Sequence, residues 1–146
     1  MIAIDTNLLI YAHRANLKEH DAAKRAIEAA AAGAWAIPLP CVTEFWTIAT
    51  HPRSQGRASR PEDAASFIRN LIEAGAKIIL PGRGFHEELL RRACALNLHG
   101  PRIFDLQIAV IAQAAGAREI WTHDRNFVTI PGLKKHDPIT VEALPQ

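Results

Sequence analysis

Asp5, Glu44, Asp105 and Asp124 each interrupt an otherwise apolar stretch. Asp5 closes Met-Ile-Ala-Ile, and Glu44 lies inside Cys41-Val-Thr-Glu-Phe-Trp46. Asp105 lies inside Ile103-Phe-Asp-Leu-Gln-Ile-Ala-Val-Ile111, and Asp124 follows Ile120-Trp-Thr-His123. A carboxylate drawn into a dry interior must neutralise, find a cation or bind a metal. No matching set of basic residues accompanies these four, so they point to a shared divalent cation. All-oxygen donors suit Mg²⁺ or Mn²⁺, which retain water. Such an ion can hold a phosphodiester oxygen, acidify a bound water and stabilise the leaving oxygen. Thr6, Asn7 and Thr122 stand beside the acids and are placed to hold water molecules by hydrogen bonds.

Taken singly, most of these residues have a local explanation. Asp5 reads as the N-cap of a helix opening at Thr6-Asn7-Leu8-Leu9. Asp105 has Arg102 three residues before it, a common pairing on a helix surface, although Ile103, Phe104, Leu106 and Ile108 do not read as a surface. Asp124 reads as a turn residue before Arg125-Asn126. Asn7 and Thr122 serve equally well as capping and strand-ending residues. Glu44, mid-helix between Thr43 and Phe45-Trp46, has no local reason to be there.

The elements that must position these side chains alternate between strand and helix. Strands are expected at Ile2–Asp5, Trp35–Pro38, Lys77–Leu80 and Glu119–Thr122, with a fifth at Ile139–Val141. Helices are expected at 7–13, 19–32, 41–49, 61–74, 85–96 and 102–115. Pro40 stands at the entrance of the third, Ser59 and Glu62 form a capping box before the fourth, and Gly33, Gly75 and Gly116 act as stops. The last helix is apolar on nearly every face and should be buried. This pattern predicts an α/β fold, three layers α/β/α around a central parallel sheet of four to five strands. No internal repeat or linker divides it, so residues 1–146 read as one domain. Ligands of such sheets bind beyond the carboxyl ends of the strands. Asp5 ends the first strand and Asp124 follows the fourth, while Glu44 and Asp105 lie in the first turns of helices directed to that edge. Four acids remote in sequence can therefore converge.

The chain has 146 residues, 49% hydrophobic and 22% charged, with formal net charge +2. Setting the four acids aside leaves 11 carboxylates against 17 Lys and Arg, 12 of them Arg. A basic outer surface rich in Arg suits phosphate recognition, and it suits equally well a genome that favours Arg codons. Arg53, Arg57 and Arg60 cluster after the Glu44 helix and, with Arg102, are candidate contacts to the phosphates of a nucleic-acid substrate. A solvated loop is the plainer account of that cluster. Cys41 and Cys94 read as reduced core residues rather than a disulfide. No secretory leader or membrane span is evident, which points to the cytoplasm. The seven His show no zinc-type spacing; His123 is the one near the acids, as a bystander. Gly82-Arg83-Gly84 lacks the third glycine of a dinucleotide loop and reads as a turn. Trp35, Trp46 and Trp121 are expected in the core, and Phe127 beneath the Asp124 turn.

Asp5-Thr6-Asn7 after the first strand, Thr43-Glu44 in the second block, Phe104-Asp105 opening a buried helix and Thr122-His-Asp-Arg-Asn-Phe127 after the next strand resemble the PIN domain. The length and layout resemble VapC-type toxins, the ribonuclease half of bacterial toxin–antitoxin pairs, over essentially the whole chain. The resemblance implies a Mg²⁺- or Mn²⁺-dependent endoribonuclease that cuts with a metal-activated water. It also implies a homodimer and a cognate antitoxin that blocks the acidic site. Asp5, Glu44, Asp105 and Asp124 match the acidic quartet, and Thr6 matches the small hydroxyl position. Asp5, Asp105 and Asp124 are the expected direct metal ligands, with Glu44 acting through water. Many relatives carry another acid where this chain has Asn126, which leaves one ion expected and the second open. The alternative is a catalytically weak PIN-like module that only binds RNA or a protein.

Overall fold

The structure is a computed structural model that describes residues 1–52 and 58–139. Its elements are β1 (Ile2–Ile4), α1 (Thr6–His13), α2 (His20–Ala31), β2 (Trp35–Pro38), α3 (Leu39–Thr50), α4 (Pro61–Glu73), β3 (Lys77–Ile79), α5 (Phe85–Ala95), α6 (Arg102–Ala114), β4 (Glu119–Trp121) and β5 (Lys134–His136). The five strands form one parallel sheet in the order β3-β2-β1-β4-β5. Strands this short are held by burial: Ala3, Ile4, Ala36 and Ile37 are fully enclosed. The chain builds outward from β1 through β2 to β3, then returns to pair β4 on the other side of β1. Right-handed crossovers then put the helices before β3 and those after it on opposite faces. The point of reversal, between β1 and β4, is where an open α/β sheet leaves a crevice at its carboxyl edge.

The expected alternation holds, with some differences. The fifth strand is Lys134–His136, not Ile139–Val141. Ile139 is buried after the strand has ended, and Thr140 and Val141 lie outside the described residues. An edge strand carrying Lys134 and His136 in the open has no apolar alternation to reveal it. Ser59 is not the cap of α4. Arg60 holds that position, Pro61 occupies the first turn, and the Ser59 hydroxyl instead meets His13 Nε2 at 2.7 Å. The third helix begins at Leu39 rather than at Cys41, so Glu44 sits in its second turn. Finally, α6 is less enclosed than its composition predicts. Leu106 and Ile108–Ala112 are buried, but Phe104 is 57% exposed. Trp35 is buried as expected and Trp121 half-buried, but Trp46 is 40% exposed; Cys41 is buried and Cys94 is exposed. The stop at Gly116 is as read: its φ of +96° follows the last turn of α6, a backbone region that glycine enters without strain.

Candidate active site

Asp5 is where β1 becomes α1. Its backbone N–H extends the sheet by donating to Trp121 O at 3.0 Å. With φ −82° and ψ 161° it is the N-cap of α1, and Oδ1 accepts from the Thr6 N–H at 2.7 Å. The local explanation for this residue is therefore true, and incomplete. Its second oxygen, Oδ2, accepts from the Thr122 hydroxyl at 2.8 Å, across the sheet from the end of β4. The side chain is almost wholly enclosed.

Thr122 is the hinge of the arrangement. Its hydroxyl donates to Asp5 and accepts from Asn7 Nδ2 and from the Asp124 N–H, each at 3.1 Å. Asn7 Oδ1 in turn accepts from the His123 N–H at 3.2 Å. The first turn of α1 and the loop after β4 are thus laced together, which fixes Asp124 relative to Asp5. Asp124 Oδ1 closes its own turn by accepting from the Asn126 N–H at 2.8 Å. From the other side, the Thr6 hydroxyl donates to Glu44 Oε2 at 2.6 Å, bringing the α3 acid to the same place. Asp105, in the first turn of α6, is half-buried.

The electrostatics tie all four together. Burial raises the Asp5 carboxyl to about 6, with the nearby Glu44 and Asp105 charges adding to it and the Thr122 and Thr6 hydrogen bonds opposing. Asp105 is also raised, first by burial and then by Asp124 and Glu44, with Arg102 opposing. Among the described residues, none of the four forms an ion pair with Lys, Arg or His. Arg102 does not bridge to Asp105; its Nη2 donates to Asn126 O at 3.0 Å. Like charges held close without a cation are the reverse of what a stability-only arrangement would choose. The donor set, hard oxygens with supporting hydroxyls, fits a dication that keeps part of its water shell. Among the described residues, no three acidic, His or Cys side chains are grouped so that they could hold a metal ion as they stand.

Other neighbours were not legible as such. Cys41 Sγ lies 3.8 Å from Asp5 Oδ1, and burial pushes its thiol up, so it lines the floor as a neutral group. His123 is paired, not idle: Nδ1 meets Asp137 Oδ2 at 2.8 Å. Lys135 donates to Arg125 O and Phe127 O at 2.7 and 3.4 Å, bracing the turn beneath which Phe127 is buried. A cleft of about 190 Å³ is lined by Thr122, Asp124, Arg125, Lys135 and Asp137, and another of about 250 Å³ by Thr43, Glu44, Thr47 and Ile48. Only a pairing of loop residues across the sheet identifies these contacts, and periodicity carries no such signal. Of the four Arg singled out as RNA contacts, Arg60 and Arg102 are exposed, whereas Arg53 and Arg57 lie outside the described residues.

A sequence profile described as "PIN domain" matches residues 2–133. This chain belongs to the PIN domain family. Among curated proteins, the PIN chain is 28% identical over 140 residues to Ribonuclease VapC48 of Mycobacterium tuberculosis, covering 93% of this chain and 96% of that protein. It is 27% identical over 145 residues to Ribonuclease VapC24 of the same species, covering 98% and 100%. Among solved structures, its fold matches M. tuberculosis VapC20, described as a sarcin–ricin loop cleaving toxin, with a TM-score of 0.68, 14% identity and coverage of 87% and 92%. It also matches a toxin–antitoxin complex from Klebsiella pneumoniae with a TM-score of 0.64, 22% identity and coverage of 97% and 100%. At those identities the structural likeness establishes the fold.

Proposed function

We propose that this PIN chain is a divalent-cation-dependent endoribonuclease, the toxin of a type II toxin–antitoxin pair. The observation that carries the reading is the convergence of Asp5, Glu44, Asp105 and Asp124, with Asp5 and Asp105 raised in pKa by burial and then by the neighbouring carboxylates, and with none of the four paired with a cation among the described residues. Curated relatives named ribonucleases, aligned over nearly the full chain, support the activity. Structural neighbours solved with antitoxins support the partner.

Asp5, Asp105 and Asp124 would hold the cation, Mg²⁺ or Mn²⁺, with Glu44 acting through water. Asn126 in place of a fifth acid weakens a second metal position and leaves it open. When bound, such a cation supplies charge stabilisation at the phosphoryl oxygens and acidifies water. The chain's own contribution is orientation. Thr122 and the Thr6 N–H fix both oxygens of Asp5, the Thr6 hydroxyl fixes Glu44, and Asn7 holds the loop that carries Asp124. The Asn126 N–H turns the Asp124 carboxylate. Arg102 and Arg60, with Arg53 and Arg57, contact RNA phosphates around the site, where counterion release favours binding.

The chain works as a single domain over residues 1–146, as a cytoplasmic homodimer held silent by its antitoxin. Among the described residues no helix is long and apolar enough to cross a membrane. Incubation of the purified protein with total RNA, in Mg²⁺ and in EDTA, tests the activity. Fragments that appear only with the divalent ion are expected. RNA binding without divalent-dependent cleavage would leave a PIN-like binding module instead.

A further inference from the structure

The loop that carries Asp124 is held from two sides. On one side stands α1: Asn7 Oδ1 accepts from the His123 N–H at 3.2 Å, and the Tyr11 and His123 rings meet edge to face, their centroids 5.9 Å apart at 77°. On the other side stand β5 and the residues after it. The Thr122 N–H donates to His136 O at 2.9 Å. His123 Nδ1 meets Asp137 Oδ2 at 2.8 Å, and Asp137 Oδ1 accepts from the Ile139 N–H at 2.9 Å. Lys135 Nζ donates to Arg125 O at 2.7 Å. The residue before Asp124 and the residue after it are therefore both tied to 135–137. This stretch lies beyond residue 133, where the match to the PIN profile ends.

Asp137 is the decisive member of this brace. An ionised carboxylate only accepts, so Nδ1 of His123 carries the hydrogen and the ring is fixed in one orientation. Asp137 is itself fixed, because its other oxygen is taken by Ile139. The two side chains are 28% and 41% exposed, and a pair so open to water adds little to the stability of the whole fold. Its position is what matters. His123 shares a peptide bond with Asp124, so a shift at His123 moves the acid directly, and a functional carboxylate must be held to within about 0.5 Å. Among the described residues no hydrogen bond joins the His123 ring to Asp5, Glu44, Asp105 or Asp124. The ring acts on the loop, not on reacting atoms.

We infer that Asp137 is a positioning residue of the acidic centre: its hydrogen bond to His123 fixes the backbone from which Asp124 reaches the cation. This rests on the divalent-cation reading above and adds to that centre a residue from beyond β5.

The test measures Mn²⁺ affinity of the full chain without RNA, from the electron paramagnetic resonance signal of free Mn²⁺. It compares wild type with Asp137→Ala, His123→Phe, the double variant and His123→Asn, each checked for native circular dichroism and for its urea midpoint in EDTA. Loss of an outer partner of a metal-holding side chain costs about 10- to 100-fold in affinity. Asp137→Ala and His123→Phe should each weaken Mn²⁺ binding by about 10-fold or more with urea midpoints near that of wild type. The double variant should be no weaker than either single one, because both remove the same bond. His123→Asn, which keeps a donor for Asp137, should recover most of the affinity. A further loss in the double variant would mean that Asp137 meets the cation itself, and would overturn the inference. So would a loss that follows a fall in the urea midpoint, or no recovery in His123→Asn. Asp137→Ala binding Mn²⁺ like a wild type that does bind it would sink this inference alone. A wild-type protein that binds no Mn²⁺ would take the divalent-cation reading down with it.

Discussion

Glu88 and Asp5 are both carboxylates near one end of a helix, and their surroundings are opposite. Glu88, early in α5, accepts from Arg91 at 2.7 and 3.2 Å and from Arg92 at 2.6 Å, and these bonds hold its carboxyl below the ordinary range. Arg92 then donates to Gln113 of α6, so the cluster joins two helices. Asp5 is buried, receives a hydroxyl, a backbone N–H and the Cys41 thiol but no cation, faces Glu44 and Asp105, and is raised to about 6. In one region the chain supplies a cation to each acid within a helical turn. In the other it gathers acids from four elements and supplies none among the described residues. The first arrangement serves the fold. The second works against it, a cost that the proposed cation would offset.

The contrast breaks most visibly in activity. Asp5→Asn or Asp105→Asn should lower RNA cleavage in Mg²⁺ by at least about a thousandfold, the scale of losing a group that fixes transition-state charge, while circular dichroism stays native. Glu88→Gln should cleave like wild type. Comparable losses at all three positions would mean that the two regions are not different in kind.

Stability should move the opposite way at Asp5. A carboxyl whose folded pKa lies above its ordinary 3.8 is penalised when ionised in the fold. Below pH about 4 neither state is charged and nothing is lost. As pH rises from there through 6, the unfolded chain releases its proton first, and the folded state loses stability by about 3 kcal/mol. Urea unfolding in EDTA should show this decline for wild type and a flatter profile for Asp5→Asn, with the variant the more stable at pH 7. A wild-type protein that grows more stable over the same window on account of Asp5 would contradict the assigned environment.

Thr122→Val sharpens the comparison at smaller scale. It keeps the shape of the side chain and removes a hydroxyl that serves Asp5, Asn7 and the Asp124 N–H at once. Leaving those buried groups unserved should cost about 1–3 kcal/mol. Cleavage should fall with it, and Thr122→Ser should restore both. Activity unchanged in Thr122→Val would remove this residue from the positioning of Asp5 and Asp124.

The acidic residues were legible in sequence because burial leaves a trace there: Asp5, Glu44 and Asp105 stand out as polar letters in apolar words. The parallel sheet was legible from the alternation of apolar runs with helical periods. The contacts that weld the centre were not. Asn7 with His123 and Thr122 with Asp5 are pairings across more than a hundred residues, and each partner alone reads as an ordinary cap or strand end. The Lys134–His136 strand was missed because an edge strand exposed to water needs no apolar pattern. The exposure of Phe104 was missed because hydrophobic periodicity assumes that an apolar residue faces a core, and this one is 57% exposed.

Crystals soaked in Mn²⁺ and measured for anomalous scattering test most directly whether a dication joins the acids. The expected result is one strong peak, roughly 2.0–2.4 Å from oxygens of Asp5, Asp105 and Asp124, that disappears in Asp105→Asn. A soaked crystal of cleavage-competent protein with no peak among these side chains would contradict the claim on which the reading of this molecule depends.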